Sequence, residues 1–318
     1  MISRWGCFRR LSAESLVKEI IEDRESGASQ LTIKAATLFL KLLERKPTMR
    51  EVSRLARLLA EARPSMPSIA NLAYVVLGNV ERLTSAGMGL EEAVEAAVRS
   101  AVKDYQRRLK DTIREAAKLL SGYRCILTHS YSSTLATAIE LCEDLKIIAT
   151  ESRPGFEGVR LAERLASSGF DVTLIVDSAA SYILERGEVD AVVVGCDAIL
   201  DDCSIVNKIG TRMIALAARE TGTPFHVVTD LWKAAVHGFS FEEHPPEEVF
   251  GRKVEEINVR NPYFERIPPK LVSKFITDEG VLTSRMLKEK LLELWGSLSP
   301  RPRRGVLSKN LSSDLFRL

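Results

Sequence analysis

From Ser12 to about Leu120 apolar residues recur at three- and four-residue spacing, as in Leu16, Ile20 and Ile21 and then Leu31, Ala35, Leu38 and Leu42. That repeat marks one face of a helix and predicts helices throughout this stretch. Thr48-Met49-Arg50-Glu51 has the form of a capping box, in which the Thr hydroxyl and the Glu carboxylate satisfy orphan amides, and it predicts a helix running to about Ala62. Arg63-Pro64-Ser65-Met66-Pro67-Ser68 stops that helix, because each proline lacks an amide hydrogen and restricts the residue before it. After Gly87 and Gly89, the Ala-, Glu-, Lys- and Arg-rich run Leu90 to Leu120 predicts one long helix leading out of a helical N-terminal domain, residues 1–120.

The texture then changes. Short β-branched apolar runs, Cys125 to Thr128, Ile147 to Thr150, Val172 to Val176, Ala191 to Val194 and Phe225 to Thr229, each lead through a polar turn into a helical stretch. Parallel neighbours need such long connections and burial on both faces, so the pattern predicts an α/β class with a Rossmann-like parallel-sheet domain over residues 121–296. Beyond it, residues 297–318 are Ser-, Pro- and Arg-rich without periodicity and read as a flexible tail.

Composition narrows the function classes. Lys and Arg number 45 and Asp and Glu 43, a net charge of +2 over 318 residues, which argues against a general nucleic-acid surface. No apolar run approaches the roughly 18 residues of a membrane span, and MISRWGCFRR is broken by Arg and Trp, so a cytoplasmic protein without a signal peptide is expected. The five cysteines form no Cys-x-x-Cys pair and read as free thiols. The four histidines, His129, His226, His237 and His244, show no ligand spacing, and no G-x-G-x-x-G or P-loop motif is present, so neither a metal nor a nucleotide cofactor is expected.

In an open parallel sheet, ligands bind beyond the carboxyl ends of the strands. There stand His129-Ser130-Tyr131-Ser132-Ser133, Glu151-Ser152-Arg153, Asp177-Ser178, Gly195-Cys196-Asp197 and Asp230. Ser132 or Ser133 serves either as a helix cap or as a ligand contact. Arg153, between a strand end and Pro154, is a candidate anion binder. Asp197 follows a buried run, which suits proton transfer through a perturbed pKa but equally a structural acceptor. Asn207-Lys208, ahead of Gly210-Thr211 and the helical run from Met213, is a candidate phosphate contact at a helix start.

The runs THSYSSTLATAIE, TESRPGFEGVRLAERLASSGFDVTLIVDSAA and VVVGCDAILDDCSIVNKIGTRMIALAARETGTPFHVVTD resemble the alpha, beta and delta regulatory subunits of eukaryotic initiation factor 2B. That superfamily also holds the archaeal ribose-1,5-bisphosphate isomerases and the methylthioribose-1-phosphate isomerases. The resemblance extends from about Ser26 to Leu282 and implies a helical domain joined by a long helix to a Rossmann-like domain. It further implies a homodimer formed through the latter, or a higher homo-oligomer, with initiation factor 2 as a candidate partner.

Departures from the isomerase pattern bear on function, since one scaffold serves both catalysis and regulation. The isomerases place a cysteine where this chain has Ser130, and a hydroxyl is a far poorer acid than a thiol. Their partner aspartate is matched by Asp197, and their substrate contacts by Asn207 and Lys208. Their Arg-Gly-Ala phosphate element appears as Ser26-Gly27-Ala28, with Arg24 displaced, and their glutamine after the strand-ending arginine appears as Glu157, whose charge would repel a doubly phosphorylated sugar. Arg63 matches their Ala-Arg-Pro element. The expectation is therefore an archaeal-type homologue of the regulatory subunits, with little or no catalysis. It would bind a sugar phosphate or nucleoside monophosphate through Arg63, Ser130, Ser132, Arg153, Asp197, Asn207 and Lys208. The alternative is a ribose-1,5-bisphosphate isomerase in which Asp197 is general acid and base and Ser130 or Cys196 replaces the missing cysteine.

Overall fold

The computed structural model describes residues 12–23, 27–252 and 256–298. Five helices open the chain: α1 (Ala13–Ile21), α2 (Ala28–Leu43), α3 (Met49–Ala62), α4 (Pro67–Ser85) and α5 (Leu90–Leu120). The capping box forms as expected: Glu51 N donates to Thr48 Oγ1 at 3.4 Å and Thr48 N to Glu51 Oε2 at 2.8 Å. Helix α3 stops at Ala62, and Pro67 begins α4 from a position where its missing amide hydrogen costs nothing. The apolar stripes of these helices meet in one core that fully buries Leu16, Phe39, Leu55, Ile69 and Val76, each contributing about 1.5–3 kcal/mol of transfer free energy.

Helix α5 has 31 residues, roughly 46 Å at the usual rise. Its first half, through Tyr105, packs into the helical core, and its last turns bury Ala116 and Leu120 beneath the sheet. The chain then runs β1 (Cys125–Thr128), α6 (Ser133–Ile139), β2 (Lys146–Thr150), α7 (Glu157–Ser167), β3 (Val172–Ile175), α8 (Ala180–Glu185), β4 (Ala191–Val194), β5 (Ala198–Ile199), β6 (Ile205–Lys208), α9 (Thr211–Thr221), β7 (Phe225–Val228), α10 (Glu247–Phe250), β8 (Phe264–Ile267), β9 (Lys274–Thr277), β10 (Gly280–Leu282) and α11 (Ser284–Leu298).

Seven strands form the main sheet in the order β10-β9-β7-β4-β1-β2-β3, all parallel except β10. Leu127 of β1 lies opposite Ile148 on one side and Val192 on the other. The chain steps outward from β1 through β2 to β3, then returns to β4 and steps the other way, so the topological switch falls between β1 and β4. A crevice opens there, beyond the carboxyl ends of the two strands.

The five predicted strands are present, and five more strands go beyond them. Strands β9 and β10 extend the sheet by a hairpin, and β5, β6 and β8 build a second, antiparallel sheet of three strands. Asn207 and Lys208, expected near a helix start, belong to β6 and pair with Glu265 and Phe264. The tail expected from residue 297 starts inside α11, which runs to Leu298, and the rest of it lies outside the described residues.

Contacts around Trp232 help to fasten the helices to the sheet. Trp232 enters the helical core edge-on to Tyr105, with ring centroids 5.7 Å apart. The Asn71 amide on α4 donates to the carbonyls of Trp232 at 2.7 Å and Ala234 at 2.8 Å.

Candidate functional site

A cavity of about 400 Å³ lies at the switch point. On the sheet side it is walled by the segments after β1 and β4, by the end of β6 and by Lys233, and on the helical side by Gly27 to Gln30, Arg63 and Met66. Arg63, Ser130, Ser132, Asp197, Asn207 and Lys208, which the sequence singled out, all line it. Arg153 does not. Its guanidinium donates to the carbonyl of Val249 and lies 4.8 Å over the Phe156 ring, so it secures the segment carrying α10, while Arg160, one helical turn into α7, faces the cavity.

Asp197 follows β4, and its amide donates to Val206 at 2.8 Å, tying it to the small sheet. Burial pushes its carboxyl up to about 6, against the opposing pull of the Lys233 and Lys208 ammonium groups and with a further push from Glu157. A carboxyl with that value exchanges a proton readily near neutral pH. Lys233 is itself buried and donates to the Cys196 carbonyl at 2.7 Å, beside the aspartate. Gly195, just ahead, has no room for a side chain: a Cβ would lie 2.7 Å from that of Ser132.

Ser130 adopts a left-handed backbone (φ 68°), held by its amide donating to Ser152 Oγ at 2.7 Å. For a residue with a side chain that conformation is costly and marks a tightly determined position. His129 cannot activate it. Its Nε2 lies 2.8 Å from the Ile209 carbonyl, which only accepts, so Nε2 carries the hydrogen and Nδ1 accepts from Thr150 Oγ1 at 2.6 Å. Burial lowers its pKa and keeps it neutral. Ser132 is a helix cap and a cavity residue at once, its Oγ accepting from Leu135 N at 3.2 Å. Cys196 is no substitute for the absent cysteine: its thiol donates to the Ala198 carbonyl at 3.0 Å, and burial pushes it up to about 12.

Two expectations need correction. The Glu157 carboxylate is not a bare negative charge, because Lys208 Nζ pairs with it at 2.9 Å, the two side chains being 9% and 2% exposed. Nor is the start of α9 open to phosphate: Glu265 already accepts from the amides of Gly210 at 2.6 Å and Arg212 at 3.0 Å. The helix end that does face the cavity is that of α2, where Gly27, Ala28 and Ser29 line the wall at the electropositive terminus of a 16-residue helix.

The sequence reading passed over Lys233, Arg160, His244 and Tyr263, all of which line the cavity. Lys233 stands three residues past Asp230, within the strand-end pattern that picked out the others. His244 and Tyr263, stacked 3.6 Å apart, come from the long stretch before β8, which carries no such periodicity. Among the described residues no group of three or more His, Cys, Asp or Glu is arranged to hold a metal ion, and no helix is long and apolar enough to cross a membrane.

Residues 14–284 match the model of the Initiation factor 2 subunit family. The ribose 1,5-bisphosphate isomerase of Methanocaldococcus jannaschii is 36% identical over 250 residues, covering 75% of this chain and 78% of that one. The methylthioribose-1-phosphate isomerase of Fervidobacterium nodosum is 33% identical over 241 residues, 68% of this chain and 69% of that one. The crystal structure of translation initiation factor eIF-2B from Pyrococcus horikoshii OT3 superposes with a TM-score of 0.73 at 26% identity, covering 85% of this chain and 96% of that one.

Proposed function

The chain belongs to the initiation factor 2 subunit family, and on that premise we propose that it is an aldose-ketose isomerase of a phosphorylated ribose, with Asp197 as its proton-transfer group. The observation that carries this reading is the position of the Asp197 carboxyl on the cavity wall beside the Lys233 and Lys208 ammonium groups, where burial pushes it up to about 6. Identities of 33–36% to proteins named as isomerases support catalysis over the purely regulatory role that Ser130 alone would favour.

The chemistry fits one carboxyl. In a furanose phosphorylated at O1, the ring opens by breaking the bond between C1 and the ring oxygen, and that oxygen takes up a proton. Hydrogen then passes with its electron pair from C2 to C1, and the hydroxyl at C2 gives up its proton as it becomes a carbonyl. C1 is reduced, C2 is oxidised, and one proton enters as another leaves. A carboxyl near pKa 6 can supply the first and receive the second. Lys233 balances its charge, Ser130 and Ser132 offer hydroxyls to the sugar, and Arg63, Arg160 and the α2 amides offer positive potential to phosphate.

The test is to incubate purified protein with ribose 1,5-bisphosphate and with ribose 1-phosphate and to assay the ketose product. Product formation abolished by Asp197→Asn is the expected result, and no product from either sugar would sink the reading. The second reading, ligand binding without turnover, is favoured by Ser130 and predicts a thermal shift with a sugar phosphate or nucleoside monophosphate but no ketose. The exposed Leu174 and Val176, at and just beyond edge strand β3, support the expected homo-oligomer.

A further inference from the structure

Three neighbouring strand ends are joined in series, and the last of them lines the cavity. Asp177, Ser152 and Ser130 each stand two residues past the end of a strand, β3, β2 and β1 in turn. The Asp177 carboxylate accepts from two consecutive amides, Ser152 N on Oδ1 and Arg153 N on Oδ2, each at 2.7 Å. Ser152 Oγ then accepts from the Ser130 amide at 2.7 Å, while its own hydrogen is directed to the Thr150 carbonyl at 3.3 Å.

Both serines stand in the left-handed region, Ser152 at φ 62° and Ser130 at φ 68°. Residues with a side chain keep that conformation only where their surroundings impose it. Asp177 is the charged member of the series, and hydrogen bonds to an ionised carboxylate are stronger than those between neutral groups. By taking two successive amides it fixes the turn of the chain at Ser152, whose side chain is fully buried. Ser130 is the outer end of the series. Its amide is committed to Ser152, so what it offers a ligand in the cavity is its hydroxyl.

We propose that Asp177 is a positioning residue for the ligand-binding hydroxyl of Ser130, acting through the buried Ser152. The inference rests on the isomerase reading for the identity of the sugar, but on the three strand ends for the coupling.

Calorimetry with ribose 1-phosphate and ribose 1,5-bisphosphate, on protein carrying Asp197→Asn to block conversion, reads that coupling as a double-mutant cycle. Ser130→Gly removes the hydroxyl and accepts the left-handed backbone, and it should weaken the tighter-binding sugar about three- to ten-fold. Asp177→Asn keeps the shape but turns an NH2 group toward one of the two amides, which loses its partner. It should weaken the same sugar about three-fold or more, yet by less than about two-fold once Ser130 is glycine. A merely structural Asp177 would cost about three-fold or more in the glycine background as well, and that result overturns the proposal. No loss from either single variant, or no binding of either sugar, also overturns it. If Asp177→Asn does not fold, Ser152→Ala, which removes the middle link, takes its place in the same cycle. Coupling without turnover in the wild-type chain would sink the isomerase reading alone, and turnover with additive losses would sink only this inference.

Discussion

The Lys233 ammonium donates to the Cys196 carbonyl at 2.7 Å, which fixes a buried positive charge one residue from Asp197. Burial alone would drive the Asp197 carboxyl higher, and Lys233 is the foremost group holding it down at about 6. Lys233→Met should therefore move the acidic inflection of the pH–rate profile upward by about one unit. The profile of kcat/KM against pH from 4.5 to 8.5 checks this. An inflection left in place would show that Lys233 does not govern the carboxyl.

Asp197 also links stability to pH. Its folded value of about 6 lies above its ordinary 3.8, so between these values the folded chain binds more protons than the unfolded chain. Stability from this group is thus fully present at low pH and falls as pH rises through the window from about 4 to 6. Asp197→Asn removes the charge. It should raise Tm by about 3–5 °C at pH 8 and have little effect at pH 4.5, where the wild-type carboxyl is already protonated, as thermal melts at the two pH values would reveal.

Ser130 stands in a backbone conformation that any replacement must also adopt. Cysteine is close in volume and accepts the same geometry, and its pKa of about 8.5 makes it a much better proton donor than a hydroxyl. Ser130→Cys should raise the kcat for ketose formation about ten-fold or more if the aldose is a true substrate. A variant that binds the sugar with no gain in turnover would argue that the carboxyl works without help from this position.

Gly195→Ala places a Cβ 2.7 Å from that of Ser132, closer than side-chain carbons sit. Relief requires the start of α6 to shift, at a cost of about 1–3 kcal/mol. Denaturant unfolding should register that loss, and titration with a sugar phosphate should weaken in parallel, because Ser132 both caps α6 and lines the cavity.

Much of this arrangement was legible before any coordinates. The capping box, the prolines, the glycines and a helix-favouring composition located α3 and α5, since such chemistry is local and readable. The strand ends named Ser130, Ser132 and Asp197 because side chains at the carboxyl edge of a parallel sheet must converge at the switch point. Arg153 shows the limit of that logic: it ends a strand like the others, yet its guanidinium turns toward Val249. Pairings between distant segments were invisible for the same reason. Nothing in the neighbourhood of Glu157 announces Lys208, 51 residues on, nor do the residues around Gly210 announce that Glu265 fills the start of α9.

Because Trp232 is sunk in the helical core while its neighbour Lys233 reaches the cavity, adjacent residues tie the helical domain to the chemistry. Asn71 grips the backbone on either side of that lysine, so the seat of the ammonium is held from the helical side as well as from the sheet. The charge that holds the Asp197 carboxyl down is thus seated jointly by both domains.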